Sequence, residues 1–231
     1  MAVFDLDGTL ADTAPDLVAT LNVILGHEGL PPLALAEARA MIGHGARVMI
    51  ERGLEAAGRE VSPDRHDELY RQFLAHYAEH LCVETRLFPG ALAALDRLEA
   101  EGFGLAVCTN KIEAHSVKLL QALGIAHRFA AICGRDTFPH VKPDPRHLTL
   151  TIRKAGGSPE QAVMIGDSRT DIVTAQTAGI PVVAVTFGYT DVALPGLGPD
   201  MIINHFDELP NAVAHVMSRS RAPHEAIASA V

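Results

Sequence analysis

The chain predicts an α/β fold: a doubly wound parallel sheet with a helical subdomain inserted near its start. Three observations carry this reading. Apolar strand-like runs alternate with helix-patterned stretches, glycines fall at the helix ends, and one long stretch shows no strand pattern. The strand-like runs are 2–6, 104–109, 130–133, 162–165, 181–185 and 201–203. Most are short and almost continuously apolar, as strands covered on both faces of a parallel sheet must be. Between them, apolar residues recur at helical spacing over 90–101, 113–123, 145–155 and 169–178. Gly102, Gly124, Gly156 and Gly179 follow these stretches, where a glycine closes a helix. Strands and helices alternating in this way wind a sheet on both sides of its first strand.

From Thr13 to about Arg86 the pattern is helical only. Apolar residues keep helical spacing over 16–27, 35–41, 46–57 and 63–81, punctuated by Pro15, Pro31, Pro32, Gly43, Gly45 and Gly58. Residues 1–13 and 87–218 are therefore read as the α/β core and 14–86 as a helical unit over the sheet's C-terminal edge. The remaining 219–231 are a tail, either a short helix or a frayed end. Ligands of open α/β sheets bind at the C-terminal edge, so a helical unit there would exclude water and select substrates.

The composition narrows the partners. At 231 residues, 48% hydrophobic and 20% charged, the chain has the means for a sizeable core. A net charge of −9 argues against nucleic acid or an anionic membrane as partner. It leaves a small anionic substrate open, because a metal ion and a lysine reverse the sign locally. Cys82, Cys108 and Cys133 are odd in number, far apart and without CxxC spacing, which points to a reducing compartment rather than a disulfide framework. The acidic motif described next begins so near Met1 that no signal peptide is expected before it. No apolar run approaches the ~20 residues that cross a bilayer. The expectation is a cytoplasmic protein, monomer or homodimer. Only Ala2, Val3 and Phe4 separate Met1 from Asp5, so either the first strand is short or the start is set late.

The chemistry concentrates at four places. Asp5 and Asp7 end the first apolar run two residues apart, so in a strand they share a face. Gly8 then permits a sharp turn, and Thr9 adds a hydroxyl beside it. Two carboxylates this close repel and persist with a cation or a shared proton. One can then act as nucleophile and the other as acid. Thr109-Asn110-Lys111, Lys142-Pro143-Asp144-Pro145 and Gly166-Asp167-Ser168-Arg169-Thr170-Asp171 each follow a later predicted strand. A parallel sheet brings all these ends to one edge. Acids, a cation, a hydroxyl and an amide around one pocket are the parts for phosphoryl transfer through an aspartyl phosphate.

With DxDGTLxDT at 5–13, TN at 109–110, KPxP at 142–145 and GDSxxD at 166–171, the chain resembles the haloacid dehalogenase superfamily. Within it, the match is to the phosphoglycolate-phosphatase-like members, which carry a helical (C1-type) cap on a Rossmann-like core. The resemblance implies an Mg²⁺-dependent phosphatase of a small phosphomonoester, with 2-phosphoglycolate the favoured substrate. It implies Asp5 as nucleophile and Asp7 as general acid, then base. Asp5, the Asp7 backbone carbonyl and Asp167 would hold the metal. Lys142, Thr109 and Asn110 would bind the phosphoryl oxygens. Asp171 would support the metal from behind, with direct ligation as the other reading. For the cap loop 43–47 two readings stand: a glycine-rich turn, or a substrate contact through His44 or Arg47. Ser168 either orients the metal site or caps the helix after it. Asp12 and Thr13 are read as structural at the cap linker, Lys111 as solvated and Cys108 as a buried, unreactive thiol. The 12 histidines are scattered and form no recognisable metal set. Two rivals remain. One is a phosphatase or mutase of another small phosphate ester or sugar phosphate. The other, from a different class, is a phospho-accepting switch or binding module, which would be labelled once without turning over.

Overall fold

The computed structural model describes residues 1–39, 41–42, 45–190 and 192–220. The chain opens with β1 (Ala2–Phe4) and β2 (Ala11–Asp12), then runs through α1 (Ala14–His27), α2 (Leu35–Arg39), α3 (Ala46–Ala56) and α4 (Pro63–Glu79) before β3 (Arg86–Leu87). Helices and strands alternate from there: α5 (Ala91–Ala100), β4 (Leu105–Cys108), α6 (Glu113–Ala122), β5 (Phe129–Cys133), α7 (Pro145–Lys154), β6 (Val163–Gly166), α8 (Arg169–Thr177) and β7 (Val182–Val185). The last elements are β8 (Met201–Ile203) and α9 (Leu209–Ser220).

The main sheet has the order β5-β4-β1-β6-β7-β8, and every pairing in it is parallel. The chain steps outward from β1 to β4 and β5, then returns to the other side through β6, β7 and β8. The strand order therefore reverses beside β1, which is where open α/β sheets leave a crevice for ligands. β1 is only three residues long, yet its ladder extends at both ends. Val163 N donates to the Met1 carbonyl at 3.0 Å and Asp5 N to the Ile165 carbonyl at 2.9 Å.

Alternate side chains of each strand enter opposite layers. Phe4, Val107, Ile165 and Val183 pack with Leu95 of α5, Leu120 of α6 and Val213 of α9. Their neighbours Val3, Ala106, Met164 and Val182 pack with Ile152 of α7 and Ile172 of α8. This double burial is why the strands read as unbroken apolar runs, and it is the doubly wound architecture expected.

Helices α1 to α4 form the insertion, with Leu21 and Ile24 of α1, Ile50 of α3 and Leu69 and Phe73 of α4 buried between them. The start of α4 is fixed locally. Pro63 occupies its first turn, and the Ser62 hydroxyl accepts from Arg65 N. Where the chain leaves the core and returns to it, β2 and β3 pair antiparallel, Ala11 with Leu87 and Asp12 with Arg86. Two-residue strands carry no periodicity, so the sequence reading has nothing there. Beside them, Asp16 is buried and accepts from the backbone N–H groups of Val83 (3.0 Å), Glu84 (2.9 Å) and Thr85 (2.9 Å), and from the Thr85 hydroxyl (2.7 Å). That carboxylate ties the returning linker to α1.

At the C-terminal end, Arg219 and Ser220 complete α9, and the rest of the expected tail, 221–231, lies outside the described residues. Cys82, Cys108 and Cys133 are free thiols. No helix among the described residues is long and apolar enough to cross a membrane.

Candidate active site

The turn after β1 sets the site. Asp5 leaves the strand, and the Leu6 carbonyl then accepts from Leu10 N and Ala11 N, both at 3.1 Å, folding 6–11 into a tight loop. Gly8 is required in it twice over. Its φ is +85°, and a Cβ there would lie 2.5 Å from Asp167 Oδ2. That closeness lets the Thr9 hydroxyl donate to Asp167 Oδ1 at 2.9 Å, while Tyr189 N donates to Asp167 Oδ2 at 2.7 Å. Gly188 is likewise pressed on Asp167, whose Oδ2 a Cβ at that position would meet at 2.3 Å.

On the other side of Asp5 stands Lys142, brought by the segment that follows β5. Its Nζ lies 2.9 Å from Asp5 Oδ1 and 2.6 Å from Asp171 Oδ1. Asn110 Nδ2 donates to the Lys142 carbonyl at 3.1 Å, fixing that segment to the end of β4. Asp171 Oδ2 accepts from Ser168 N (3.1 Å) and Ser168 Oγ (2.6 Å), so Ser168 serves as the cap of α8.

One carboxylate oxygen from each of Asp5, Asp167 and Asp171 lies within 4.8 Å of the others, and all three residues are buried. Burial raises the Asp167 carboxyl to about 8, with Asp171 and Asp5 adding repulsion. Burial also raises Asp5, to about 6, although Lys142 pulls the other way. For Lys142 itself burial opposes the charge, but Asp171 and Asp5 outweigh it and hold the ammonium well above its usual range. Three acids faced by one ammonium leave a surplus of negative charge, and their donor atoms are all hard oxygens. That donor set fits a small divalent cation.

Lys111 corrects the expectation of a solvated lysine. It is buried, and its Nζ donates to Asp7 Oδ1 at 3.0 Å, to Asp7 Oδ2 at 3.2 Å and to the Tyr77 hydroxyl of α4 at 2.8 Å. Its place directly after Thr109-Asn110 was the signal available in the sequence. Thr109 Oγ1 accepts from Lys111 N at 3.2 Å, which leaves its hydroxyl hydrogen free to donate. The insertion therefore touches the core at the second acid of the motif.

These groups open into a small cavity of about 60 Å³ between sheet and insertion, where Asp5, Asp7, Thr109, Asn110, Lys111 and Lys142 meet Met49, Tyr70, Phe73 and Tyr77. Arg135, His115 and Gly45 also line it, and the sequence reading singled out neither Arg135 nor His115. Arg47 does not reach the lining. It pairs with Asp67 at 2.5 Å and lies 4.1 Å over the Tyr70 ring. His44 lies outside the described residues. Asp12 accepts from the Tyr189 hydroxyl at 2.7 Å and pairs with Arg39 at 3.4 Å, a linker role. Cys108 is buried, and that burial pushes its thiol up to about 12, so it stays unreactive.

The haloacid dehalogenase-like hydrolase family model matches residues 2–185, and the chain belongs to that family. Among its relatives, the phosphoglycolate phosphatase of Mesorhizobium japonicum is 51% identical, over 94% of this chain and 96% of that one. The phosphoglycolate phosphatase of Agrobacterium fabrum is 46% identical, over 92% and 91%. The crystal structure of a predicted phosphoglycolate phosphatase from Haemophilus somnus superposes with a TM-score of 0.86 at 35% identity, over 92% of this chain and 96% of that one.

Proposed function

We propose that this protein is an Mg²⁺-dependent phosphomonoesterase acting on 2-phosphoglycolate. The observation that carries the reading is the meeting of Asp5, Thr109, Lys142 and Asp167, from four separate segments, at one edge of the sheet. The names of the relatives support the choice of substrate. We take 1–13 and 87–218 as the catalytic core and 14–86 as its cap, and the acidic charge and free thiols support action in the cytoplasm.

The residues act in two displacements. An Asp5 carboxylate oxygen attacks phosphorus as the bond to the glycolate oxygen breaks, and Asp7 gives that oxygen its proton. Asp7 then takes a proton from a water that attacks the phosphorus of the aspartyl phosphate, freeing inorganic phosphate and restoring Asp5. Lys142 and the Thr109 hydroxyl stabilise charge on the phosphoryl oxygens, and Asn110 holds the Lys142 backbone in place. Asp5, the Asp7 carbonyl and Asp167 would hold Mg²⁺, with Asp171 bracing Lys142 behind them. Bound there, the ion neutralises the carboxylates and the phosphate so that the two anions can approach. Lys111 positions the Asp7 carboxylate through both of its oxygens.

The test is phosphate release from a panel of phosphometabolites, with Mg²⁺ or with chelator, for the native protein and Asp5→Asn. The expected outcome is preference for 2-phosphoglycolate, with turnover falling by about 10³-fold or more in the variant and under chelation. A flat profile across the panel would discard the substrate. A single labelling without turnover would replace the enzyme with a phospho-accepting switch.

A further inference from the structure

Of the three lysine and arginine side chains that line the cavity among the described residues, two are committed. Lys142 is held by Asp5 and Asp171, and Lys111 by Asp7 and Tyr77. The third, Arg135, lines the same cavity, and among the described residues its guanidinium has no ion pair and no hydrogen bond. The backbone delivers it there. Arg135 N donates to the Lys111 carbonyl at 2.9 Å. Gly134 before it is pressed so close to the loop after β4 that a Cβ would lie 2.1 Å from Glu113 N. At the far end, the Arg135 Nη1 lies 3.1 Å from where a Cβ of Gly45 would be, so the side chain spans from the sheet edge to the cap wall. Among the described residues the remainder of that wall adds no charge. Met49 and Phe73 are apolar, and burial, with Lys111 nearby, holds the His115 imidazole below its usual range. A guanidinium with no partner among the described residues, facing a cavity whose other end binds phosphate, attracts a second anionic group. Its planar fork matches a carboxylate through two parallel hydrogen bonds.

We propose that Arg135 is the specificity-determining residue of this site, holding the substrate carboxylate while the phosphoryl group lies against Asp5 and Lys142. This deepens the phosphomonoesterase reading above and rests on it. Arg135 selects a short phosphorylated acid against an ester of equal length that lacks the carboxylate.

The experiment compares 2-phosphoglycolate with 2-hydroxyethyl phosphate, which replaces the carboxylate by a hydroxymethyl group, for the native protein, Arg135→Met and Arg135→Lys with Mg²⁺. In Arg135→Met the KM for 2-phosphoglycolate rises about 10- to 150-fold, the range expected for losing a hydrogen-bonded charge partner. Its kcat stays near the native value, and kcat/KM for 2-hydroxyethyl phosphate moves by less than about threefold, which also shows that the variant is folded. Arg135→Lys recovers part of the KM. An unchanged KM for 2-phosphoglycolate, or an equal loss on both esters, overturns the role of Arg135 while leaving the substrate reading intact. A native protein that does not distinguish the two esters overturns both, and that result is seen before any variant is made.

Discussion

A neutral imidazole sealed inside a protein makes stability depend on acid. His147 of α7 is fully buried, its Nε2 donating to the Gly134 carbonyl at 3.1 Å while Nδ1 has no partner among the described residues. Burial, with Lys142 adding repulsion, lowers the ring from 6.5 to about 4. Between those values the unfolded chain binds a proton that the folded chain refuses, so stability falls as pH falls. The contribution is complete above 6.5 and gone below about 4, amounting to about 3 kcal/mol at most. Thermal melting between pH 7.5 and 5 should show a steeper loss for the native protein than for His147→Gln. Parallel curves would refute it. At this scale the site was legible wherever residue type and motif spacing were enough. Asp5, Asp7 and Asp167 stand at or just past strand ends in the pattern, and Lys142 stands in the motif that opens the helix after one. Lys111 and Arg135 were not legible, because nothing in a one-dimensional pattern separates a lysine that bonds Asp7 from one in water. Arg47 shows the reverse: its loop position suggested the pocket, but Asp67 and the Tyr70 ring hold it elsewhere.

Elements were legible in proportion to their length and to the contrast between their faces. The core strands, buried on both faces, announce themselves as apolar runs, and α3 and α4 show their amphipathic stripe. The β2–β3 pair and the Asp16 contacts depend on residues about seventy positions apart finding one another, which local periodicity does not encode. Those contacts carry a prediction of their own. Asp16→Ala leaves three backbone N–H groups and the Thr85 hydroxyl without their acceptor, a cost of about 3 kcal/mol. Urea denaturation would measure it, and limited proteolysis should show earlier cutting near 83–86. A variant as stable and as resistant as the native protein would exclude the anchoring role.

The whole molecule carries a net charge of −9, while the substrate proposed for it is itself a polyanion. The local excess of Asp5, Asp167 and Asp171 over Lys142 is where the opposing charge has to be supplied. A divalent cation that binds only the folded chain stabilises it by about 2.7 kcal/mol at one hundred times its Kd. Titration with Mg²⁺ should therefore raise the melting temperature of the native protein without any substrate present. Asp167→Asn should lose most of that rise, and an equal rise in the variant would move the ion away from this cluster.

The antiparallel pair of β2 and β3 sets the two ends of the insertion side by side, Asp12 opposite Arg86. A segment that departs and rejoins at one doorway can be exchanged without rerouting anything behind it. The part of the pocket wall that the insertion supplies, Met49, Tyr70, Phe73 and Tyr77, can thus diverge on a schedule separate from that of the core. Replacing one whole insertion by another is, for this architecture, a change of tool head on an unchanged machine.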